Sequence, residues 1–345
     1  MRGQSIMQEV LCSVIVPTYN NSATIASCIA SIVEDAFDGI ECIVVNDGST
    51  DDTAERVVEL QSTYPGTIRL FNNNNCGVSS ARNFGLQVSR GRWILFVDAD
   101  DLMIRGWQTA IFDALTSAED SDIVLFADGL GAETPASIEC LKGCLFPFRN
   151  KWGVVFRAPF SKAYSRKFLD RARLTFVPSL RIGEDALFNA RAYLSDPHIA
   201  CYPESIYLYR KNLCSSSNAK SESQLENELL YRRSLDEILA SSSIPEDTKK
   251  AILEMNCLGG LVNLLGNSTN AMSAFRELTE SPDWRHYEAA LHNYSNSKRY
   301  FPLRHRIVLR LLKAKALPLA CFTSALLDLG KALVYRHDTS TIERI

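Results

Sequence analysis

The sequence has little histidine and no cysteine motif. Only 5 of its 345 residues are His, and all of them lie at or beyond position 198. The first half of the chain therefore offers neither a histidine-based zinc site nor a Ser-His catalytic triad. The 10 Cys form no CxxC pair, and several stand in apolar surroundings, which predicts reduced thiols in a cytosolic protein.

An excess of one charge and a long apolar run are also missing. Lys and Arg total 37 against 40 Asp and Glu, a net charge of -3, so the chain has no overall attraction to nucleic acid. Its first residues lack the charged-then-apolar order of a signal peptide. The longest early uncharged stretch, 10–33, contains Pro17 and many polar residues, so we expect no transmembrane helix and a cytoplasmic location.

The chain has the composition of a folded protein, because 46% of its residues are hydrophobic. Its length suggests two units or one domain with a large appendage. In the first part of the chain, short β-rich runs alternate with helical patterns, which predicts a Rossmann-like, doubly wound, mostly parallel α/β sheet. The predicted strands are 12–16, 41–45, 68–71, 93–97 and 123–126, and the predicted helices are 25–33, 54–60, 78–88 and 107–115.

The alternation of β-rich runs and helical patterns ends, and the sequence pattern changes at two points in the rest of the chain. Residues 129–151 show no clear period, and a mixed region follows them to about Ser217. From there the chain is rich in Leu and is divided into helical segments by Pro residues, so we expect an α/β domain at 1–217 and a helical region at 218–345.

The end of the helical region is basic. Residues 298–336 hold nine basic residues and one acidic residue, with Ile307, Leu311, Leu312 and Leu317 among them. Such a tail is typical of a peripheral contact with an anionic membrane surface. An equally good interpretation is the solvated face of a helical bundle that packs on the first domain.

Three polar clusters directly follow predicted strands, at 17–21, 46–49 and 98–101. In an open α/β sheet, ligands bind at the carboxyl ends of the strands, where such clusters meet. Asp98 and Asp100 are two residues apart, so an extended backbone would point both carboxylates to one side, where Mg²⁺ or Mn²⁺ would relieve their repulsion. The alternative is that this acidic loop caps the next helix.

Two further residues stand out near these clusters. Asp47 directly follows an apolar strand and could accept hydrogen bonds from a base or a sugar hydroxyl, although the surrounding Asn-Asp-Gly-Ser is also a common turn. Arg82 lies early in a helix that follows Gly77, where it could reach an anion favoured by the helix dipole, or be an ordinary surface residue.

Together these motifs resemble those of the family 2 glycosyltransferases of GT-A fold. The matching segments are SVIVPTYN at 13–20, VNDGSTDD at 45–52, GVSSARN at 77–83 and FVDADD at 96–101, in order and spacing. The resemblance implies a nucleotide-sugar half at about 1–128, an acceptor half at about 129–217, and a donor that is most commonly a UDP-sugar. It also implies that Pro17, Thr18 and Tyr19 lie against the base and that Asp47 forms a hydrogen bond with the base. By the same resemblance, Arg82 lies beside the nucleotide, Asp98 holds the ribose and Asp100 binds Mg²⁺ or Mn²⁺.

A weaker match concerns the acceptor side. RIGEDALF at 181–188 resembles the family's Glu-Asp element at the start of a helix, which implies Asp185 as general base and Glu184 as an acceptor-side neighbour. Two acids in a first helical turn also favour the macrodipole, which is the purely structural alternative. SKAYSRKF at 161–168 resembles a basic helix that precedes this element, and IYLYR at 206–210 resembles a strand that follows it.

The resemblance implies an inverting glycosyltransferase that moves a sugar from a nucleotide-sugar donor to a glycan hydroxyl. Because the tail is basic, we expect a lipid-linked acceptor at the inner membrane face, in synthesis of capsule or another cell-surface polysaccharide. One alternative is an inactive, membrane-bound scaffold that binds nucleotide-sugars. Another is a sugar nucleotidyltransferase, although no Gly-rich basic loop follows Val16.

Overall fold

The computed structural model describes residues 10–34, 39–127, 134–145, 155–210, 220–297, 301–321 and 323–324. The chain divides after Arg210 into two compact units. The domain boundary expected at 217 lies outside the described residues, as do 298–300 and 325–336 of the basic tail. The nine described cysteines are all free.

The first unit is built on a seven-stranded sheet. Its strands are β1 (Cys12–Thr18), β2 (Ile40–Asn46), β3 (Ile68–Asn72), β4 (Trp93–Phe96), β6 (Ile123–Phe126), β7 (Lys162–Ser165) and β8 (Ile199–Tyr202), in the order β3-β2-β1-β4-β7-β6-β8. Every residue of β1 and β2 is buried, because both faces of a doubly wound sheet are covered by helices. The predicted α/β fold is confirmed.

The sheet is parallel except at β7. This strand runs antiparallel between β4 and β6, while the other pairs, including β6 with β8, are parallel. A separate two-stranded ribbon pairs β5 (Leu102–Met103) with β9 (Tyr207–Leu208). The expected basic helix at 161–168 is therefore wrong in its first half, where Lys162 lies fully buried in the sheet.

The helices of this unit lie where the apolar spacing or, near 166 and 184, the family resemblance predicts a helix, with one exception. The exception is a nine-residue helix inside the region that showed no period, where Gly143 approaches Phe156 so closely that a Cβ would come within 2.3 Å of the ring. The helices are α1 (Ile25–Val33), α2 (Thr53–Thr63), α3 (Val78–Val88), α4 (Trp107–Ser117), α5 (Ser137–Leu145), α6 (Arg166–Arg171) and α7 (Glu184–Leu194).

The second unit is helical, as expected. Its helices are α8 (Gln224–Ala240), α9 (Glu246–Asn267), α10 (Ala271–Glu280), α11 (Trp284–Ser297) and α12 (Leu303–Lys313). Pro245 and Pro302 stand at the N-cap positions of α9 and α12, where a missing N–H costs nothing. Within the described residues, no helix is both long enough and apolar enough to span a bilayer.

Helix α12 carries the described part of the basic tail. Its Val308, Leu309 and Leu312 are buried in the core of the helical unit. Leu303 and Ile307 stay exposed, at 70% and 40%. The apolar residues of the tail are therefore divided between the bundle core and solvent.

Candidate functional site

The carboxyl ends of β1 and β2 bring the first two motifs together. The backbone N–H of Asp47 donates to the carbonyl of Thr18 at 2.8 Å. Pro17 and Thr18 are buried, and the Thr18 hydroxyl bonds Asn21 Oδ1 at 3.1 Å. Tyr19 is 45% exposed, so of the three residues expected at the base, its ring is the one that a planar ligand can reach.

Asp47 is buried and holds the loop before α3. Its Oδ1 accepts from the N–H of Cys76 at 2.8 Å, and its Oδ2 accepts from the N–H of Gly77 at 2.7 Å. Gly77 has φ 89°, a conformation that favours glycine. Asp47 therefore fixes the backbone from which α3 starts, and its expected bond to a base remains a prediction.

Arg82 lies at the centre of the site. It is 3% exposed, and its guanidinium joins carboxylates from two distant segments. Nη2 lies 2.9 Å from Asp98 Oδ1, and Nη1 lies 2.6 Å from Asp185 Oδ1 and 3.3 Å from Glu184 Oε1. The alternative of an ordinary surface arginine is excluded, and four of the expected site residues lie in direct contact.

The cluster has three carboxylates and one cation, so the positive charge of Arg82 does not balance the negative charge of the three acids. Burial raises the pKa of Asp185 and of Glu184, while Arg82 opposes the rise. Desolvation works against the charge of Arg82, but Asp185, Asp98 and Glu184 outweigh it and raise its pKa. The side chain of Asp185 is 28% exposed, so a substrate hydroxyl can reach it, and its raised pKa makes it a stronger base than an ordinary carboxylate.

The position of Arg82 is fixed by packing against an aromatic ring. The face of its guanidinium lies over the ring of Phe176, with 5.2 Å from Cζ to the ring centroid. Asn83, the next residue on α3, exchanges two hydrogen bonds with the backbone of Phe176, and Phe176 stacks on Phe188 of α7 at 4.1 Å. This packing aligns α3 with the start of α7.

The acidic loop differs from the expected geometry. Residues 98–101 form a turn in which the N–H of Asp101 donates to the carbonyl of Asp98 at 3.0 Å, so the predicted extended backbone is wrong. The alternative cap for the next helix does not apply either, because α4 has Gly106 at its N-cap and no acid in its first turn. Asp98 and Asp100 are half-buried, and Asp101 is buried.

Two residues that hold this turn were not recognised as site residues in the sequence. The hydroxyl of Tyr207 donates to Asp101 Oδ2 at 2.5 Å, and the N–H of Arg210 donates to Asp101 Oδ1 at 2.7 Å. Burial raises the pKa of Asp101 to about 6, against these two hydrogen bonds. Arg210 Nε also donates to the carbonyl of Asp100 at 2.5 Å. Both residues belong to the segment IYLYR at 206–210, which resembles a strand of the family, but no spacing in the sequence indicates their contact with the turn.

The chemistry of the turn fits a divalent ion that also has ligands from a substrate. The carboxylates of Asp98 and Asp100 supply only oxygen, which suits Mg²⁺ or Mn²⁺. In the described part of the chain, no three acidic, His or Cys side chains form a complete metal cage. Arg210 Nη2 is buried and has no hydrogen-bond partner among the described residues, so an anion beside the turn would satisfy it.

Comparison with known proteins finds similar glycosyltransferases. Residues 13–172 match the family model Glycosyl transferase family 2. The uncharacterized glycosyltransferase EpsJ of Bacillus subtilis is 31% identical over 221 residues, which are 59% of this chain and 61% of EpsJ. The succinoglycan biosynthesis protein ExoO of Rhizobium meliloti is 30% identical over 207 residues, 56% of this chain and 59% of ExoO. The chain thus spans about 60% of the length of these curated relatives.

Two solved structures share the fold over most of the chain. S. aureus TarS 1–349 in complex with UDP-GlcNAc has a TM-score of 0.59 at 22% identity, and the match covers 93% of this chain and 92% of that one. The mannosyltransferase PcManGT from Pyrobaculum calidifontis, in complex with GDP-Man and Mn²⁺, has a TM-score of 0.51 at 16% identity, covering 92% and 86%. The first unit is therefore an α/β domain of the GT-A class. Over residues 13–172, this unit is similar to glycosyl transferase family 2.

Proposed function

We propose that this protein is an inverting glycosyltransferase that moves a sugar from a UDP-sugar to a hydroxyl of a glycan acceptor in cell-surface polysaccharide synthesis. One observation carries the proposal: Arg82 joins Asp98 to Glu184 and Asp185, which lie 102 and 103 residues from it in the chain. The UDP-GlcNAc complex of TarS supports the donor, and the role named for ExoO supports the pathway.

In this proposal the donor lies along the carboxyl edge of β1, β2 and β4. Tyr19 stacks on the base, Asp47 bonds it across the same edge, and Asp98 receives the ribose. Asp100 would hold Mg²⁺ or Mn²⁺, and the ion would supply positive charge beside the departing diphosphate. Arg210 Nη2 donates to the same diphosphate, which gives this buried N–H its missing acceptor.

Asp185 acts as the general base. It removes the proton of the acceptor hydroxyl while that oxygen forms a bond to the anomeric carbon, and the bond from this carbon to the diphosphate oxygen breaks. A single displacement inverts the anomeric configuration. Arg82 contacts Asp185 at 2.6 Å, and its charge partly offsets the rise in the Asp185 pKa that burial causes. Glu184 lies beside it on the acceptor side.

The test is a panel of UDP-, GDP- and dTDP-sugars with and without Mn²⁺, assayed for donor hydrolysis and for transfer to a glycan extract. We expect one UDP-sugar to be turned over only with the metal, and Asp100→Ala to lose both metal-dependent nucleotide binding and turnover. NMR of the product linkage checks inversion. Donor binding without any turnover would instead indicate the inactive scaffold.

We further propose that the acceptor is lipid-linked and that the tail at 298–336 contacts an anionic membrane. The exposed Leu303 and Ile307 stand on the helix that also carries Arg310 and Lys313 at its end, which supports this contact. Deleting the tail would remove Leu309 from the core of the bundle, so charge substitutions are the better test. We expect Arg310→Gln with Lys315→Gln to lower cosedimentation with phosphatidylglycerol vesicles several-fold. Equal cosedimentation of this variant and Arg276→Gln, on α10, would contradict the contact.

A further inference from the structure

The helical unit contains a concave site that the proposed transfer reaction does not use. Helices α8, α9 and α11 line a cavity of about 750 Å³, within the range of small-molecule sites. Its lining includes the buried side chains of Leu239, Cys257 and Arg232, and exposed residues such as Lys250 and Arg285. The cavity thus combines apolar groups with a set of cations.

The acidic residues of the lining are already engaged. Asp236 pairs with Arg232, Glu246 Oε1 lies 2.8 Å from Lys249 Nζ, and Glu254 Oε1 accepts from Asn293 at 2.7 Å. Lys250 and Arg285 form no ion pair with any described carboxylate. The lining therefore holds two cations without an ion pair among the described residues and one carboxylate, Glu254, that bonds a neutral amide.

A buried donor in the same cavity also lacks an acceptor. Arg232 is 5% exposed, and its two Nη atoms pair with Asp236 and Asp283. Its Nε is buried and has no hydrogen-bond partner among the described residues. A buried N–H without an acceptor is unfavourable, so an oxygen ligand in the cavity would stabilise it.

Taken together, the free cations and the unpartnered donor point to an oxyanion, and we propose that this cavity binds a phosphoryl group. Arg232 Nε would donate to one phosphoryl oxygen, while Lys250 and Arg285 would supply charge at the exposed side. A guanidinium and an ammonium are the usual protein partners of phosphate. The group belongs to a phosphorylated solute or to a phospholipid headgroup, which share this chemistry.

The test uses the side-chain NMR signals of the five His residues in the full-length protein. His286 lines the cavity and accepts a hydrogen bond from Arg285 Nε at 3.2 Å, so its imidazole reports on the site without any sugar-transfer assay. Inorganic phosphate is titrated at constant ionic strength against chloride, and in a second arm phosphatidylglycerol vesicles are compared with phosphatidylcholine vesicles.

We expect phosphate to shift the His286 signal saturably, and Lys250→Ala with Arg285→Ala to weaken the apparent affinity at least ten-fold. Arg276→Ala, an exposed arginine outside the cavity, should bind as the wild type does. A response to phosphatidylglycerol vesicles alone would assign the group to a lipid. If His286 responds to neither probe beyond the chloride and phosphatidylcholine controls, or if the double variant binds like Arg276→Ala, the proposal is wrong.

Arg232→Lys tests the donor itself, since it keeps the charge and removes Nε. We expect at least a ten-fold loss of phosphate affinity with the far-UV circular dichroism spectrum unchanged. Unchanged affinity in this variant would contradict the role of Nε. Should the variant not fold, the double variant of exposed residues still decides the proposal, because neither of its positions is buried.

Discussion

Each unit of the molecule buries one arginine among acids, and the two clusters differ in balance. Arg82 faces three carboxylates, Asp98, Glu184 and Asp185, from segments far apart in the chain. Arg232 pairs with Asp236 one turn along α8 and with Asp283, which also binds Arg233. Two cations and two acids make the helical cluster neutral, whereas the first cluster has an excess of negative charge.

This difference in charge balance separates a cluster that stabilises the fold from one that can take part in a reaction. The helical cluster balances its own charges, so its ion pairs stabilise the packing of α8, although Arg232 Nε has no acceptor among the described residues. An unbalanced cluster drawn from distant segments carries unfavourable repulsion, which a proton or a metal ion relieves. The comparison therefore predicts that changes in the first cluster alter chemistry, while changes in the second alter stability.

The largest expected effect is on the proposed base. Asp185→Asn removes the proton acceptor but keeps the shape and one bonding oxygen, so we expect turnover to fall by about 10²- to 10⁴-fold with donor binding retained. Turnover is measured by product formation, and donor binding by calorimetry. Asp247→Asn, an exposed acid on α9, serves as the control and should leave turnover unchanged. Near wild-type turnover of Asp185→Asn would show that another group is the base.

The next effect is on stability. Arg82→Met leaves three carboxylates without their cation, and breaking a buried pair in this way typically costs about 3–5 kcal/mol of unfolding free energy. We expect Arg232→Met to cost a similar amount in the helical unit, but only Arg82→Met to lower turnover per folded molecule. Urea unfolding followed by circular dichroism measures both variants.

Arg92→Met is the matched control for these variants. Its pair with Glu119 is exposed, at 41% and 63% of the two side chains, so the cost should stay below about 1 kcal/mol. Equal turnover of folded Arg82→Met and Arg232→Met would remove the distinction between the two clusters.

A pH effect follows from the buried lysine of the sheet. Lys162 donates to the carbonyls of Val155, Ala158 and Phe160, and burial lowers its pKa to about 7 from 10.5. Between pH 7 and 10.5 the unfolded chain holds more protons than the folded chain, so this group makes stability rise with pH. We expect the wild type to gain stability over this range relative to Lys162→Met. Parallel pH profiles of stability for the two proteins would contradict this expectation. As a control, Lys167→Met, on the exposed side of α6, should show the same pH profile of stability as the wild type.

The smallest expected effect is a fall in stability with rising pH, and it lies in the helical unit. Burial raises the pKa of Glu228 to about 7 from 4.5, although its bond from the Tyr287 hydroxyl and the charge of Arg232 oppose the rise. Between pH 4.5 and 7 the folded chain holds more protons, so stability falls as pH rises through this range. We expect the advantage of Glu228→Gln in melting temperature to grow from pH 4.5 to 7. A constant difference would show that Glu228 titrates normally.

Local pattern was sufficient to predict five of the seven strands of the sheet and the strand-end motifs. The apolar runs of β1, β2 and β4 and the polar residues after them place Thr18, Asp47 and Asp98 at one edge from spacing alone. The partnership of Arg82 with Asp185 could not be predicted in this way, because it spans 103 residues and depends on how α3 and α7 pack.

Where the prediction failed, tertiary contacts overrode local preference. The family resemblance implies a basic helix at 161–168, but three backbone carbonyls accept from Lys162 and so allow it to lie inside the sheet. Gly143 lowers helical propensity in α5, yet only glycine allows Phe156 to approach so closely. The turn at 98–101 depends on Tyr207 and Arg210, which lie more than 100 residues away.

The antiparallel strand β7 in the middle of the sheet also affects the nascent chain during synthesis. β4 ends at Phe96, but its neighbour on that side, β7, begins only at Lys162. Until the ribosome has delivered that later segment, the β3-β2-β1-β4 layer has an open hydrogen-bonding edge formed by an apolar strand, which is a hazard for pairing with other nascent chains. Slow synthesis between these two strands should therefore lower the soluble yield more than an equal delay within the helical unit.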